Sequence, residues 1–408
     1  MRRTLAGFLL AASPITVPAF EAIDTLPYPS LGTFPAYPPE AVRPGRLFAQ
    51  VGVMRDDNVL RRARDPQSET ISRLGLGAAY DARVYGRQVV RLEATGDLYH
   101  YDRFSALDHF AYGVLGEWRW ELGNQLSGTL GYGRRRFQAD LAERQVAAED
   151  IVTAQRLYGS AAYRFSPNWR VRAAADAADI GRPDSVTGDT SANSLTAGID
   201  YVTPLGNTLG VEGRTSSGDA PMDAAIDPTG EFRDNEYDEN SIAVVAAYNL
   251  GPQLRFGARA AQTERTYTLL PAFDFEGTTY RFDATWRPGN KTLLGFEVYK
   301  SPRSVIEIGA TQVIARGVAF GPSWAPTAKL VFAARVLREE RDYPGDPAAL
   351  GLVGIREEVV RGLRLAAGWE ATHRFHFGVA WDTGERRSNV LDREYDYNAV
   401  MANARFVF

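Results

Sequence analysis

His100 and His109 bracket a run containing Asp102 and Asp108, with Asp97 just ahead, and that grouping could form an Asp-His pair able to move a proton. No serine or further carboxylate stands out to complete a catalytic set. His373 and His376, the other two histidines, frame a turn and read as solvated side chains rather than metal ligands. The acidic stretch DPTGEFRDNEYDENS, Asp227 to Ser241, is rich in oxygen ligands but lacks the spacing of an EF-hand calcium loop. The absence of cysteine removes thiol nucleophiles, thiolate metal sites and disulfides together. The expectation is no catalytic residue, no metal, no cofactor and no enzyme.

What remains is arginine. Lysine occurs only at Lys291, Lys300 and Lys329, so nearly all positive charge is guanidinium. GC-rich coding is one cause; an arginine-lined path for an anionic solute is the other. The net charge of −4 argues against a nucleic-acid partner, which would want a basic domain.

The arginines must be positioned by strands. In HFAYGVLGEWRWELGNQLSGTLGYGRRRF, His109 to Phe137, Phe110, Tyr112, Val114, Trp118, Trp120 and Leu122 share one face, while His109, Glu117, Arg119 and Glu121 share the other. After Gly123 to Gln125, Leu126, Gly128, Leu130 and Tyr132 resume the apolar face, so the unit is a two-faced hairpin. Strands this long exceed the roughly 5–6 residues usual in globular sheets and match the roughly 9–11 needed to cross a bilayer at a tilt. A hydrophobic content of 45% with 38 glycines suits a barrel that is greasy outside and polar within.

Met1 to Ala22 carries Arg2, Arg3, an apolar run from Leu5 to Ala12 and small residues, the pattern of a signal peptide. Residues 23–45 form a proline-rich lead, expected as an extended periplasmic tether. Residues 46–408 divide at eight short breaks (Arg83–Gly86, Gly123–Gln125, Ser166–Asn168, Pro204–Asn207, Gly251–Gln253, Pro288–Asn290, Pro326–Ala328, Thr372–Arg374) that alternate with nine longer, charged ones. Among the long breaks are Gly218–Asn240 and Ser301–Ser304. Seventeen connections predict eighteen strands in a transmembrane antiparallel up-and-down β-barrel, with short periplasmic turns and long outer loops. The place for it is the bacterial outer membrane, in contact with lipid and lipopolysaccharide.

Trp118, Trp120, Trp169, Trp286, Trp324 and Trp369 lie near short turns and, with the terminal Phe408, predict an aromatic girdle at the periplasmic rim. Tyr99, Tyr101, Tyr237, Tyr267, Tyr343 and Tyr395, near the long loops, are candidates for the opposite girdle. A soluble all-β fold would need to bury the charged faces, at large desolvation cost. A water-filled lumen carries them freely. The pore-lining candidates are Arg91, Arg119, Arg135, Arg156, Arg164, Arg170, Arg172, Arg255, Arg259, Arg281 and Arg364.

VGVMRDDNVLR at 51–61, the run from Ser68 to Phe137 and YGSAAYRFSPNWRVRAAAD at 158–176 resemble exopolysaccharide-operon outer-membrane barrels of the EpsL type, within the wider beta-barrel porin group. The features are Asp56, Asp57 and Asn58 ending the first strand; Tyr85, Arg87 and Gln88 at the first turn; Tyr99 to Phe104; Trp118 with Trp120; and Gly317 to Leu330. The proline-rich lead departs from that pattern. The resemblance implies export of a secreted, anionic exopolysaccharide, with a periplasmic polysaccharide-export protein as partner. A general or anion-selective porin for small solutes is the alternative, and a non-conducting adhesion barrel a third.

Overall fold

The computed structural model describes residues 45–145, 147–182, 189–221, 234–268, 271–307, 310–344 and 355–408. The signal peptide, the proline-rich lead up to residue 44 and residues 227–233 of the acidic stretch lie outside the described residues. Eighteen strands run in order: β1 Gly45–Asp56, β2 Glu69–Tyr85, β3 Gln88–Tyr101, β4 His109–Leu122, β5 Leu126–Gln138, β6 Ile151–Ser166, β7 Trp169–Gly181, β8 Thr190–Val202 and β9 Thr208–Pro221, then β10 Asp234–Leu250, β11 Leu254–Tyr267, β12 Phe275–Trp286, β13 Thr292–Glu307, β14 Ala310–Thr327, β15 Leu330–Tyr343, β16 Arg356–Glu370, β17 Phe375–Ser388 and β18 Tyr395–Val407. Each pairs antiparallel with its sequence neighbours, and β1 pairs with β18 from Phe48↔Val407 to Asp56↔Ala399. The sheet is closed. Closure leaves no ladder edge unpaired, which a lipid-embedded sheet requires.

Gly86, Gly123, Gly206 and Gly251 hold φ of +54°, +63°, +80° and +64° in four of the short turns, a conformation that a Cβ would strain. No helix among the described residues is long and apolar enough to cross a membrane; the crossing is made by strands. Strands of 12 to 18 residues reach about 30–45 Å along the barrel axis at the usual rise and tilt. That exceeds an apolar band of about 25 Å.

The outer surface shows where the band stops. On β17, outward Phe375, Phe377, Val379 and Trp381 give way to Thr383, Glu385 and Arg387; on β16, Trp369 and Leu365 give way to Arg361. The large apolar side chains stand outside, Leu76 and Ile242 being 64% and 70% exposed. This is an outer-membrane barrel, in contact with lipid.

Three expectations need adjustment. β13 continues to Glu307 and β14 starts at Ala310, with Glu307 paired to Ala310, so the break placed at Ser301–Ser304 is strand and the connection is only two residues. β9 and β10 likewise climb to Pro221 and Asp234, into the stretch assigned to the loop from Gly218 to Asn240. The tyrosines proposed for the outer girdle instead face inward. Tyr101, Tyr237, Tyr267, Tyr343 and Tyr395 are all buried, because each stands in phase with the inward charged positions of its strand.

The tryptophan set keeps its outward placement near the turns: Trp118, Trp169, Trp286, Trp324 and Trp369 are exposed on the outer face, as is Phe408, and Trp120 lies across Gly128. Trp381, absent from that set, is also outward, but in mid-strand between Leu365 and Val400.

Candidate pore and its outer constriction

Strand parity sends the charged face inward. All eleven arginines singled out from the sequence occupy inward positions, but most are held by carboxylates. Arg91 lies 3.2 Å from Glu93, Arg119 2.6 Å from Glu117, Arg281 2.8 Å from Glu297 and Arg364 3.6 Å from Asp382. Arg156 pairs with Asp176 and sits 5.0 Å above the Tyr158 ring. Arg135 stacks 5.7 Å from Phe137, while Arg164 and Arg255 are exposed near the short-turn end.

Four strands build the densest cluster. Arg170 grips Asp200 through two nitrogens, at 2.6 and 3.0 Å, and Arg172 bridges Asp200 at 3.1 Å and Glu212 at 2.7 Å. Arg259 closes the set at 2.7 Å from the other oxygen of Glu212. Two carboxylates therefore orient three guanidiniums on β7 to β11. A guanidinium has five N–H donors, so such pairing fixes its plane while leaving donors for a solute.

This cluster lines a cavity of about 910 Å³ along β2 to β12. Nine arginines (83, 87, 119, 170, 172, 214, 255, 259 and 281) face it, against five lining carboxylates, Asp81, Glu121, Asp200, Glu212 and Asp283, and two more, Glu117 and Glu297, that pair with Arg119 and Arg281 from beyond the lining. The excess of cations favours anions. The opposite wall, from β14 to β1, sets small or apolar inward residues (Gly317, Ala319, Ala366, Ala380, Ala399 and Met401) among arginines that are paired to acids, such as Arg356 with Glu358 and Arg364 with Asp382.

At the long-loop end the mouth narrows. Val59 and Leu60 from the β1–β2 loop, Leu107 from the β3–β4 loop and Leu141 from the β5–β6 loop pack against inward Met54, Ile71, Tyr101 and Met401. Leu141 opens a short helix, α1, Leu141–Arg144, whose first turn is capped by Asp140 accepting from the Ala142 N–H at 2.9 Å. The residue after it, Gln145, donates to the Arg61 carbonyl at 2.8 Å and the Asp392 carbonyl at 3.1 Å. Arg386 on β17 donates to the Ala142 carbonyl at 2.9 Å. To make these contacts the β5–β6 loop must pass inside β1 to β4.

The β1–β2 loop is pinned by the Asp56-Asp57-Asn58 run. Asp56 receives Arg61 through both oxygens at 2.9 Å and also accepts the Asn58 N–H, and the Arg61 guanidinium lies 3.7 Å over the Tyr397 ring. Asp57 accepts from the Asn398 backbone at 2.7 Å and side chain at 3.1 Å, while Asn58 donates to the carbonyls of Arg62 and Asp396. Asp56 and Arg61 are fully buried. Similar arginine–tyrosine–carboxylate sets ring the same level: Arg265 with Glu239 and Tyr237, and Arg356 with Glu358 and Tyr343.

His100 Nδ1 does lie 2.8 Å from Asp108 Oδ2, outside at the rim. Partial burial works against ionisation of Asp108, but the Tyr101 N–H and the His100 ring hold its carboxyl below the ordinary range. His109 points inward, 2.8 Å from the Leu107 carbonyl, so the two histidines do not converge. His373 is exposed beside Glu370 and His376 is buried. No group of three potential metal ligands occurs among the described residues.

Arg214, Asp200, Glu212 and Asp283 share the strand phase of the arginines picked from the sequence, and that parity alone was signal enough to find them. Arg61 sits in a loop with no such signal.

No family model and no curated protein matches the sequence. Solved structures do. Similar chains include the outer membrane protein OpdK of Pseudomonas aeruginosa, at 11% identity and TM-score 0.47, covering 89% of this chain and 99% of that one. OccK2 (OpdF) of the same organism is 12% identical with TM-score 0.49, over 89% and 98% of the two chains. A BenF-like porin from Pseudomonas fluorescens Pf-5 is 11% identical with TM-score 0.47, over 89% and 99%.

Proposed function

We propose that the barrel conducts small anionic solutes across the outer membrane, by passage rather than catalysis. The observation that carries this is the cavity wall on which nine arginines outnumber the carboxylates, those paired from beyond the lining included, and several are oriented side by side by shared acids. A carboxylate or similar anion meets a series of partly satisfied guanidiniums, each able to accept it without full desolvation. The pore-lining candidates Arg170, Arg172 and Arg259 are the first contacts on this reading.

The export of a polymer, which the family resemblance implied, needs a lumen clear from end to end. The inward loops, locked at Asp56 and Arg61 and crossed by α1, weigh against it. On this reading neither an exopolysaccharide nor a periplasmic export protein is required as a partner. The test is the zero-current potential of single channels in planar bilayers under a potassium chloride gradient. Preference for chloride, reduced in an Arg172→Gln/Arg259→Gln variant, is the expected result. Cation preference in the unmodified protein would overturn the reading, and polymer translocation without small-ion conductance would restore export.

A further inference from the structure

The outer surface of the barrel is not uniform where its apolar band ends. On β7 to β12 the first outward polar positions are Asp179, Asn193, Thr215, Asn240, Gln262 and Thr278, acidic or neutral throughout. On the next four strands the same level holds Lys300, Arg316, Arg338 and Arg361. Lys300 stands directly opposite Arg316, and Arg338 directly opposite Arg361. Like charges so placed repel across the ladder, and a bound anion would relieve that.

Three carboxylates compensate in part. Arg316 pairs with Asp342, Arg338 with Glu340 at 2.9 Å and Arg361 with Glu385 at 2.7 Å. The three guanidinium side chains nevertheless remain 46%, 54% and 55% exposed. One carboxylate contact leaves most of the five N–H donors facing out.

Directly below, towards the short-turn end, the same surface is shallowly concave. A concavity of about 590 Å³ opens between Trp324, Phe332, Leu365 and Trp381, with Ala334 and Ala367 at its floor. Its lining is almost wholly apolar. Leu365 lies four residues below Arg361, about 13 Å along the strand. Cationic donors above and an apolar trough below match an amphiphile with phosphate at its head and chains beneath.

We propose that this face, β13 to β17, binds a phosphorylated, multiply acylated lipid of the outer leaflet, the lipid A portion of lipopolysaccharide. Phosphate oxygens take the outward donors of Arg316, Arg338 and Arg361, and one acyl chain lies over Ala334 and Ala367. The site is independent of what the lumen conducts, since every group in it faces away from the pore.

The test uses delipidated full-length protein in detergent, with bound lipid quantified by native mass spectrometry. The probes are bisphosphorylated lipid A, the same lipid with both phosphates removed, and inorganic phosphate as competitor. The unmodified protein should hold bisphosphorylated lipid A at least about ten-fold tighter than the dephosphorylated form, and Arg338→Gln/Arg361→Gln should lose about that factor. Ala367→Trp, which fills the trough, should weaken both lipids. Heat-modifiable mobility on gels verifies that each variant is folded; should Ala367→Trp not fold, the exposed double variant decides alone. Equal binding of the two lipids, unchanged binding in the arginine variant, or displacement by inorganic phosphate would each overturn the proposal.

Discussion

Arg61 is worth more to the mouth of this barrel than any of the arginines along the wall, because it is buried. Its charge is met by Asp56, the Asn58 carbonyl and the Tyr397 ring in a place that water scarcely reaches. Removing one member of a buried pair strands the other, at about 3–5 kcal/mol, whereas exposed pairs such as Arg87 with Glu121 contribute about 0–1 kcal/mol. Arg61→Gln should therefore release the β1–β2 loop while the strands keep their pairing. Trypsin cleavage after Arg62 or Arg64 in the intact barrel, together with noisier and larger single-channel currents, is the expected sign. A loop as resistant as before would mean that the apolar contacts of Val59 and Leu60 hold it without the ion pair. The Asp56-Asp57-Asn58 run, quoted from the sequence as a family feature, turns out to be the anchor of this loop. Its acids gave no hint of that, since Asn398 is brought beside Asp57 only by closure of β1 on β18.

At the scale of the strand, packing across the ladder is set by where side chains are missing. A Cβ on Gly128 would come within 2.3 Å of both the Ser160 carbonyl and the Trp120 ring, and the first of these is backbone that cannot move aside. Gly133, on the same strand, would meet nothing closer than 3.8 Å. Gly128→Val should accordingly weaken the β4–β5–β6 ladder by about 1–3 kcal/mol, as overpacking does. Gly133→Ala should be near neutral. Urea midpoints of the two variants in micelles measure the difference; equal midpoints would show that Trp120 simply swings into lipid and the ladder adapts. The same two-residue period made the strand number, the turn end and the inward arginines legible in the sequence. It failed in two places, each for a physical reason. The run Ser301–Ser304, with Pro302 and Arg303, reads as a break although it is paired strand rising past the bilayer, so the end of β13 is drawn too early. The tyrosines near the loops were assigned by height alone, although Tyr343 and Tyr395 alternate in phase with Glu339, Arg341 and Tyr397 and so face the lumen.

For the molecule as a whole, selectivity depends on how far the wall's charge is felt. The arginine-rich cavity occupies one side of the lumen, β2 to β12, while on the facing side small and apolar inward residues alternate with arginines paired to acids, Arg341 with Glu339, Arg356 with Glu358 and Arg364 with Asp382. An ion passing along the axis is thus attracted from one side across water, and screening governs the strength of that attraction. The Debye length is about 10 Å at 0.1 M salt and about 3 Å at 1 M. At the lower concentration the field of the wall's net positive charge spans much of the lumen; at the higher it clings to the wall. Preference for chloride over potassium should be clear in a gradient centred on 0.1 M and should fall towards parity near 1 M. A small carboxylate that makes direct hydrogen bonds to Arg170 or Arg259 should still block current at 1 M, because a contact pair is screened far less than a distant one. Selectivity that survives 1 M salt undiminished would place the discriminating contacts at a narrow point, with the inward loops and their buried arginines as the filter rather than the open wall.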